Sequence, residues 1–303
     1  MYLREFNFHQ PGSVKEATAL LAERSNAATL AGGTDLLVEM KKGLRTHEDI
    51  ISLSKIDELK IIGEDNKNIY IGSCVTHNEV IASKIINKVI PALAEATSKI
   101  GSEQVRNAGT IGGNLCTAAS CSDTAPVLLS MNASVEVVDR EAGRIIPLKE
   151  FFIFNKKTVL KKGELMTRII IPKPAPGTTV CYEKFGLREA GTIAVVSVAA
   201  MVRLMNDTCV DACIVIGAVA PVPKISDQAG MILKGSKVSE LVKDSPRMVQ
   251  VADAAVKNSI PIDDIRGSAQ FRRDILQVLT QRAILRAVDL SFASLRLRGK
   301  NKK

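Results

Sequence analysis

Thr29-Leu30-Ala31-Gly32-Gly33-Thr34-Asp35-Leu36-Leu37 and, further along the chain, Thr110-Ile111-Gly112-Gly113-Asn114 are the two stretches whose reading decides the fold. Each Gly pair lies between an apolar run and a polar or helical start. There, backbone N–H groups can be bared toward an anion with no Cβ in the way. Two such loops can share one pyrophosphate, and a β-branched residue in place of Gly112 would then obstruct the approach of phosphate to backbone.

Working outward from the first loop, Ser13-Val14-Lys15-Glu16 has the form of a capping box, and Val14, Ala17, Leu20 and Leu21 recur at helical spacing. This predicts a helix over 14–24. Ala27 to Ala31 reads as a strand, Leu36 to Lys42 as a short helix closed by Gly43, and Ile50 to Leu53 as a strand. The opening is thus a βαβ unit with the first loop at a strand-to-helix junction, where a helix start adds partial positive charge.

Lys60 to Val75 reads as an antiparallel pair around the turn Glu64-Asp65-Asn66-Lys67-Asn68. Thr76-His77-Asn78-Glu79 is a second capping box, opening a helix through Ile85, and Pro91 suits the first turn of a helix reaching Ile100. Ser134 to Asp139 and Arg168 to Ile171 read as strands. Three alternating prolines in Pro172-Lys173-Pro174-Ala175-Pro176-Gly177 mark a linker. Beyond it, Ala194 to Leu204 and Val210 to Val219 form a hairpin turning at Asn206-Asp207. A last helix over Phe271 to Leu290 sets Ile275, Leu279, Ala283 and Ala287 on one face. The expected modules are 1–56, 57–175 and 176–303.

Composition narrows the classes. An apolar content of 46% over 303 residues supports packed modules and excludes a largely disordered chain. No apolar stretch approaches the roughly 20 residues of a membrane span. Met1 to Gln10 lacks a secretory layout, so a cytoplasmic location is expected. The six Cys form no CxxC pair; Cys116-x4-Cys121 and Cys209-x3-Cys213 are the tightest, and all six are expected as buried reduced thiols with no metal. Part of the +9 net charge lies in the tail Leu295 to Lys303. With only 4% aromatic residues and none interleaved with those charges, the tail reads as a solvated, frayed terminus and not a nucleic-acid surface. His9, His47 and His77 build no Ser-His-Asp or Cys-His arrangement, so hydrolytic chemistry has no support.

Taken together, the first loop, Gly101-Ser102-Glu103-Gln104-Val105-Arg106-Asn107, the second loop and Asp123 resemble the flavin-binding subunit of molybdenum hydroxylases, the xanthine dehydrogenase and carbon monoxide dehydrogenase group. The likeness runs from Phe6 to the Arg272 to Ala287 segment. It implies an α+β fold: a vanillyl-alcohol-oxidase (PCMH)-type FAD-binding domain in two α/β subdomains, then a C-terminal α+β domain with a small antiparallel sheet. It also implies an oxidoreductase subunit that carries FAD and passes electrons from [2Fe-2S] clusters to an acceptor such as NAD or a quinone. Molybdopterin and [2Fe-2S] would sit on partner large and small subunits. Cofactor contacts fall by resemblance on Thr29, Leu30, Ala31, Gly32, Gly33, Thr34, Asp35, Leu36, Gly101, Thr110, Ile111, Gly112, Gly113, Asn114, Asp123, Met166 and Lys184, with no catalytic residue and no metal ligand on this chain. Thr34, Thr110 and Asn114 would add hydrogen bonds, Asp123 would accept from a ribose or ribityl hydroxyl, and Lys184 would favour an anionic reduced flavin.

Other readings stand beside this one. Asp35 and Asp123 read equally as caps of the helices that follow them, and Lys184 as a strand-edge charge. Arg106 reads as a surface ion pair or as a residue orienting the second loop. A self-sufficient reductase resembling UDP-N-acetylenolpyruvoylglucosamine reductase would reduce an enolpyruvyl substrate with NADPH. A cofactor-free scaffold would bind no flavin.

Overall fold

A computed structural model describes residues 3–189 and 191–300, with side chains through Phe292. The chain opens with β1 (Asn7–His9), α1 (Val14–Glu23), β2 (Ala27–Leu30), α2 (Leu36–Lys41) and β3 (Asp49–Ser52). The strands form a parallel sheet in the order β1-β3-β2, as the βαβ reading requires. Ser13 caps α1 by accepting from the Glu16 N–H, but Glu16 reaches back to the Gly12 N–H at 2.8 Å. The expected reciprocal box is therefore shifted by one residue.

The next stretch runs β4 (Ile62–Glu64), β5 (Asn68–Gly72), α3 (His77–Ala82), α4 (Lys84–Val89), α5 (Pro91–Ser98), α6 (Glu103–Ala108), α7 (Ile111–Thr117) and α8 (Thr124–Ser130). It continues through β6 (Ser134–Val138), β7 (Gly143–Pro147), α9 (Leu148–Phe151), β8 (Phe152–Phe154), β9 (Lys157–Thr158) and β10 (Leu165–Pro172). Five of these strands make a sheet in the order β4-β5-β10-β6-β7. The helix expected through Ile85 breaks at Ser83, whose hydroxyl caps α4 by accepting from the Ile86 N–H. A good N-cap residue inside a helical run ends one helix and starts another.

Beyond the proline segment come β11 (Thr178–Phe185), β12 (Val196–Met205), β13 (Thr208–Gly217), β14 (Lys224–Ile225), α10 (Asp227–Leu233), α11 (Pro246–Lys257) and α12 (Ala269–Lys300). The four strands form an antiparallel sheet in chain order. Tyr182, Ala199 and Val215 join the core built by α5, α8 and the five-stranded sheet. Their neighbours Cys181, Val198, Ala200, Ile214 and Ile216 join a second core with α11 and α12. Burial on both faces explains why β12 and β13 read as nearly continuous apolar runs. Arg286 of α12 clamps Glu95 of α5 at 2.8 and 2.7 Å, fastening the last helix to the middle of the chain.

Two expectations change. The basic tail is helical as far as Lys300, with Asn301 to Lys303 outside the described residues. Cys116 is exposed, and Cys121 and Cys213 are half-buried. The rest behave as inert interior thiols: burial pushes Cys74 and Cys209 up to about 11 and Cys181 up to about 12. No metal-holding group of His, Cys, Asp and Glu occurs among the described residues, and none of their helices is long and apolar enough to cross a membrane.

Candidate cofactor site

The first loop leaves its backbone donors bare. None of the N–H groups of Gly32, Gly33, Thr34, Asp35 and Leu36 donates within the described residues, whereas Leu37 closes the first helical bond to Gly33 at 3.1 Å. Gly33 takes φ +71°, the left-handed conformation that turns successive N–H groups toward a common point. Gly32 is required for another reason: a Cβ there would lie 1.9 Å from the carbonyl oxygen of Ala108 and 2.9 Å from Cα of Gly109. The first loop thus presses directly on the backbone that leads into the second. Asp35 does not cap α2; its carboxylate accepts from the Thr117 hydroxyl at 3.1 Å, tying the loop to the end of α7. Thr29 and Leu30 belong to β2 and stand behind the loop with Ala31, all half-buried.

In the second loop the donors are spent. Ile111 N–H donates to Val75, Gly112 to Ser73, Gly113 to the Thr110 hydroxyl and Asn114 to the Thr110 carbonyl, at 3.0, 3.0, 3.1 and 2.9 Å. A Cβ on Gly112 would sit 2.5 Å from the Ser73 carbonyl oxygen and 2.7 Å from its Cα. The space over Gly112 is therefore filled by protein, and the glycine serves packing of α7 on the end of β5. What this loop offers a ligand are side chains. Asn114 Oδ1 accepts from Ser122 at 2.6 Å and Thr124 at 2.8 Å, while its Nδ2 makes no bond among the described residues.

His77, passed over in the sequence as a helix start, stands where the loops meet. Its backbone N–H donates to Gly109 at 2.9 Å. The space a Gly109 side chain would need is bounded by the His77 ring at 3.1 Å and the Thr34 hydroxyl at 3.3 Å. Burial, helped by the Arg106 charge, pushes the imidazole down to about 4, so it is neutral near pH 7. Its Nδ1 is buried with no partner among the described residues. Arg106 makes no ion pair among those residues; it donates to the carbonyls of Ile100 and Gly101, at 2.9 and 3.4 Å, and so fixes the turn at Gly101, φ +45°.

Asp123 is neither a cap nor solvated. It is buried, and it accepts from the Tyr182 hydroxyl at 2.6 Å and from the Lys184 ammonium at 2.8 Å. Lys184 also donates to the Lys99 carbonyl at 2.9 Å, and its side chain is only 4% exposed, which disposes of a solvated edge charge. Burial raises Asp123 above the usual carboxylate range, opposed by the Lys184 charge and both hydrogen bonds. Burial and then the Asp123 charge hold the Tyr182 hydroxyl protonated. Tyr182 and Lys184 alternate along β11, and that i, i+2 spacing was the sequence signal for a shared face. Lys184 and Lys99 line a cavity of about 400 Å³ with Phe185, Leu187 and Arg188. Met166 lies at a bulge in β10 and is buried in the same core as Ile111 and Leu115.

Residues 4–174 match the family of FAD-binding domains in molybdopterin dehydrogenase, and residues 181–287 match the C-terminal domain of CO dehydrogenase flavoprotein. The carbon monoxide dehydrogenase medium chain of Afipia carboxidovorans is 31% identical over 93% of this chain and 96% of its own length. The glyceraldehyde dehydrogenase medium chain of Sulfolobus acidocaldarius is 30% identical over 93% and 98%. Among solved structures, carbon monoxide dehydrogenase from Hydrogenophaga pseudoflava superposes with a TM-score of 0.90 at 32% identity, covering 96% of this chain and 99% of that one.

Proposed function

The chain belongs to the FAD-binding medium subunits of the molybdopterin dehydrogenases, and from that premise we propose that it is the electron-transfer subunit of a three-chain oxidoreductase. It would stand between a small subunit carrying [2Fe-2S] clusters and an acceptor such as NAD or a quinone, with a large molybdenum-cofactor subunit acting on the organic substrate. FAD, when bound, supplies chemistry that accepts and releases electrons singly or in pairs. The cytoplasm is the expected setting, and activity confined to the soluble fraction of lysed cells tests it. Division at 1–56, 57–175 and 176–303 is supported by the sheets, none of which crosses a boundary: the three-stranded sheet lies in the first segment, the five-stranded and two-stranded sheets in the second, and the four-stranded sheet in the third.

The observation that carries the reading is the run of bare N–H groups from Gly32 to Leu36 in a left-handed turn. Such a run suits a pyrophosphate. The Thr34 and Thr110 hydroxyls and the Asn114 amide would add side-chain donors, and Thr29, Leu30, Ala31 and Asp35 would shape the loop behind them. Ile111, Gly112 and Gly113 hold α7 in place, Gly101 sets the approach to it, and Met166 backs it from β10. Asp123 and Lys184 act as a buried ion pair. Lys184 bonds Asp123 and Lys99, which leaves one ammonium hydrogen for a ligand in the cavity it lines.

The test is to purify the chain, denature it, and identify what is released by absorption and chromatography. One FAD per chain is expected. A chain that releases no flavin and takes up none from excess FAD would be the scaffold, and the proposal would fall.

A further inference from the structure

His77 is 3% exposed, yet neither of its ring nitrogens has a hydrogen-bond partner among the described residues. Buried side-chain nitrogens are paired as a rule, and an exception costs stability unless something outside the chain completes it. The capping box that opens α3 makes no use of the ring. Thr76 and Glu79 bond each other, and His77 adds its backbone N–H, donated to the Gly109 carbonyl. The start of the helix is thus explained, and the imidazole is left without a task.

The ring has a direction. Cδ2, the carbon bonded to Nε2, is the His77 atom that bounds the space above Gly109, and the Thr34 hydroxyl bounds the same space. The Nε2 edge is therefore turned toward the first loop, with the enclosed Nδ1 across the ring from it. An enclosed N–H without an acceptor is worse tolerated than an enclosed lone pair, so the proton of the neutral ring belongs on Nε2. The Thr34 hydroxyl has no partner among the described residues either, and the N–H groups from Gly32 to Leu36 are bare. Charge at the junction is unbalanced in the same sense. Arg106, whose field reaches His77, has no carboxylate partner among those residues, and its Nε is buried and unbonded. Donors and an uncompensated cation at one junction, with no carboxylate paired to any of them, suit an anionic ligand.

We propose that His77 is a further cofactor ligand, its Nε2–H donating to the pyrophosphate that the bare N–H groups of the first loop receive. The inference rests on the function proposed above, and it gives that site a side-chain donor from a separate segment of the chain, α3. A pyrophosphate offers acceptor oxygens on both phosphates, so donors arriving from two directions are each used. Burial and the Arg106 charge hold the ring neutral near pH 7, and it serves as an N–H dipole beside that guanidinium instead of as a second buried cation.

The experiment titrates FAD into the flavin-free full-length chain, follows flavin fluorescence, and compares wild type with His77→Gln, His77→Asn and His77→Leu. A Gln amide reaches the place of Nε2, an Asn amide that of Nδ1, and Leu fills the space with no donor. His77→Gln is expected to bind FAD within about threefold of wild type, and His77→Asn and His77→Leu about ten- to a hundredfold more weakly. Wild-type affinity in His77→Leu, losses in His77→Gln equal to those in His77→Leu, or rescue by Asn in place of Gln overturns the proposal. Should a variant fail to fold, nitrogen NMR of the three histidines in the wild-type chain decides. FAD is expected to slow solvent exchange of one Nε2–H, the one that persists when His9 and His47 are substituted, and unchanged exchange overturns the proposal. A wild-type chain that takes up no FAD overturns instead the function on which it rests.

Discussion

The two glycine-pair loops look alike on paper and differ in what they do with their backbone. In the loop at Gly32-Gly33 a run of N–H groups is unspent, and one glycine is left-handed while the other lets two backbones touch. In the loop at Gly112-Gly113 every N–H from Ile111 to Asn114 is already committed, and Gly112 is there because Ser73 occupies the place of a side chain. The first has donors to spare, as the proposed receptor for FAD requires, and the second is a joint. Identical dipeptides can answer to a ligand or to a neighbour, and only the partner list separates them.

The sharpest break between the loops comes from Gly112→Val. Its side chain collides with Ser73 backbone, which is held in place by a bond to Thr167 and cannot yield cheaply. The variant is expected to lose about 3 kcal/mol or more of stability, or to be recovered unfolded. Chemical denaturation of the flavin-free chain measures this. A stable variant that merely lacks FAD would return the second loop to the role of phosphate cradle.

Acid strains the junction between the loops through His77. Its folded value of about 4 lies below the ordinary 6.5, so between those values the unfolded chain takes up a proton that the folded chain refuses. Stability therefore falls as pH drops through this window, by about 3 kcal/mol in all, and the loss is complete below the folded value. Denaturant titrations at pH 7 and pH 4.5 should differ accordingly, and His77→Gln should flatten the slope. An unchanged slope in the variant assigns the acid lability to other groups.

Gly32→Ala strikes the seat of the first loop on the backbone that leads into the second, since its Cβ would meet the Ala108 carbonyl oxygen at 1.9 Å. The expected result is a loss of about 2 kcal/mol of stability in the flavin-free chain, together with FAD bound about a hundredfold more weakly by the protein that folds. A variant of unchanged FAD affinity would erase the distinction between the loops. The smallest effect is assigned to Thr117→Val, which removes one exposed hydrogen bond to Asp35; less than about 1 kcal/mol of stability and a few-fold in FAD affinity are expected. A large loss there would show that α7 sets the first loop's shape.

Much of this was legible in the sequence because it is local. Strand, glycine pair and helix start around Gly32, the capping box at Thr76 and the hairpin turn at Asn206 all follow from neighbouring residues. The break at Ser83 was missed although its signal is local, since Ser83 is a good cap three residues before Ile86. What escaped was set by contacts between distant segments: Ser73 under Gly112, His77 under both loops, and Tyr182 reaching Asp123. Asp35 and Asp123 each precede a helix and so looked like caps. Stronger partners, a hydroxyl from α7 and an ammonium from β11, took their carboxylates instead.

The antiparallel sheet of the C-terminal segment gives one face to each of two cores, with Tyr182, Ala199 and Val215 set among residues from the middle of the chain. Melting either side would strip an apolar wall from the other, so the molecule should unfold in one cooperative transition. A protease that cuts the exposed stretch between Pro174 and Gly177 should accordingly leave a nicked pair that stays together under native conditions and separates only in denaturant. The proline segment is a boundary in sequence; in mechanical terms the chain is one piece.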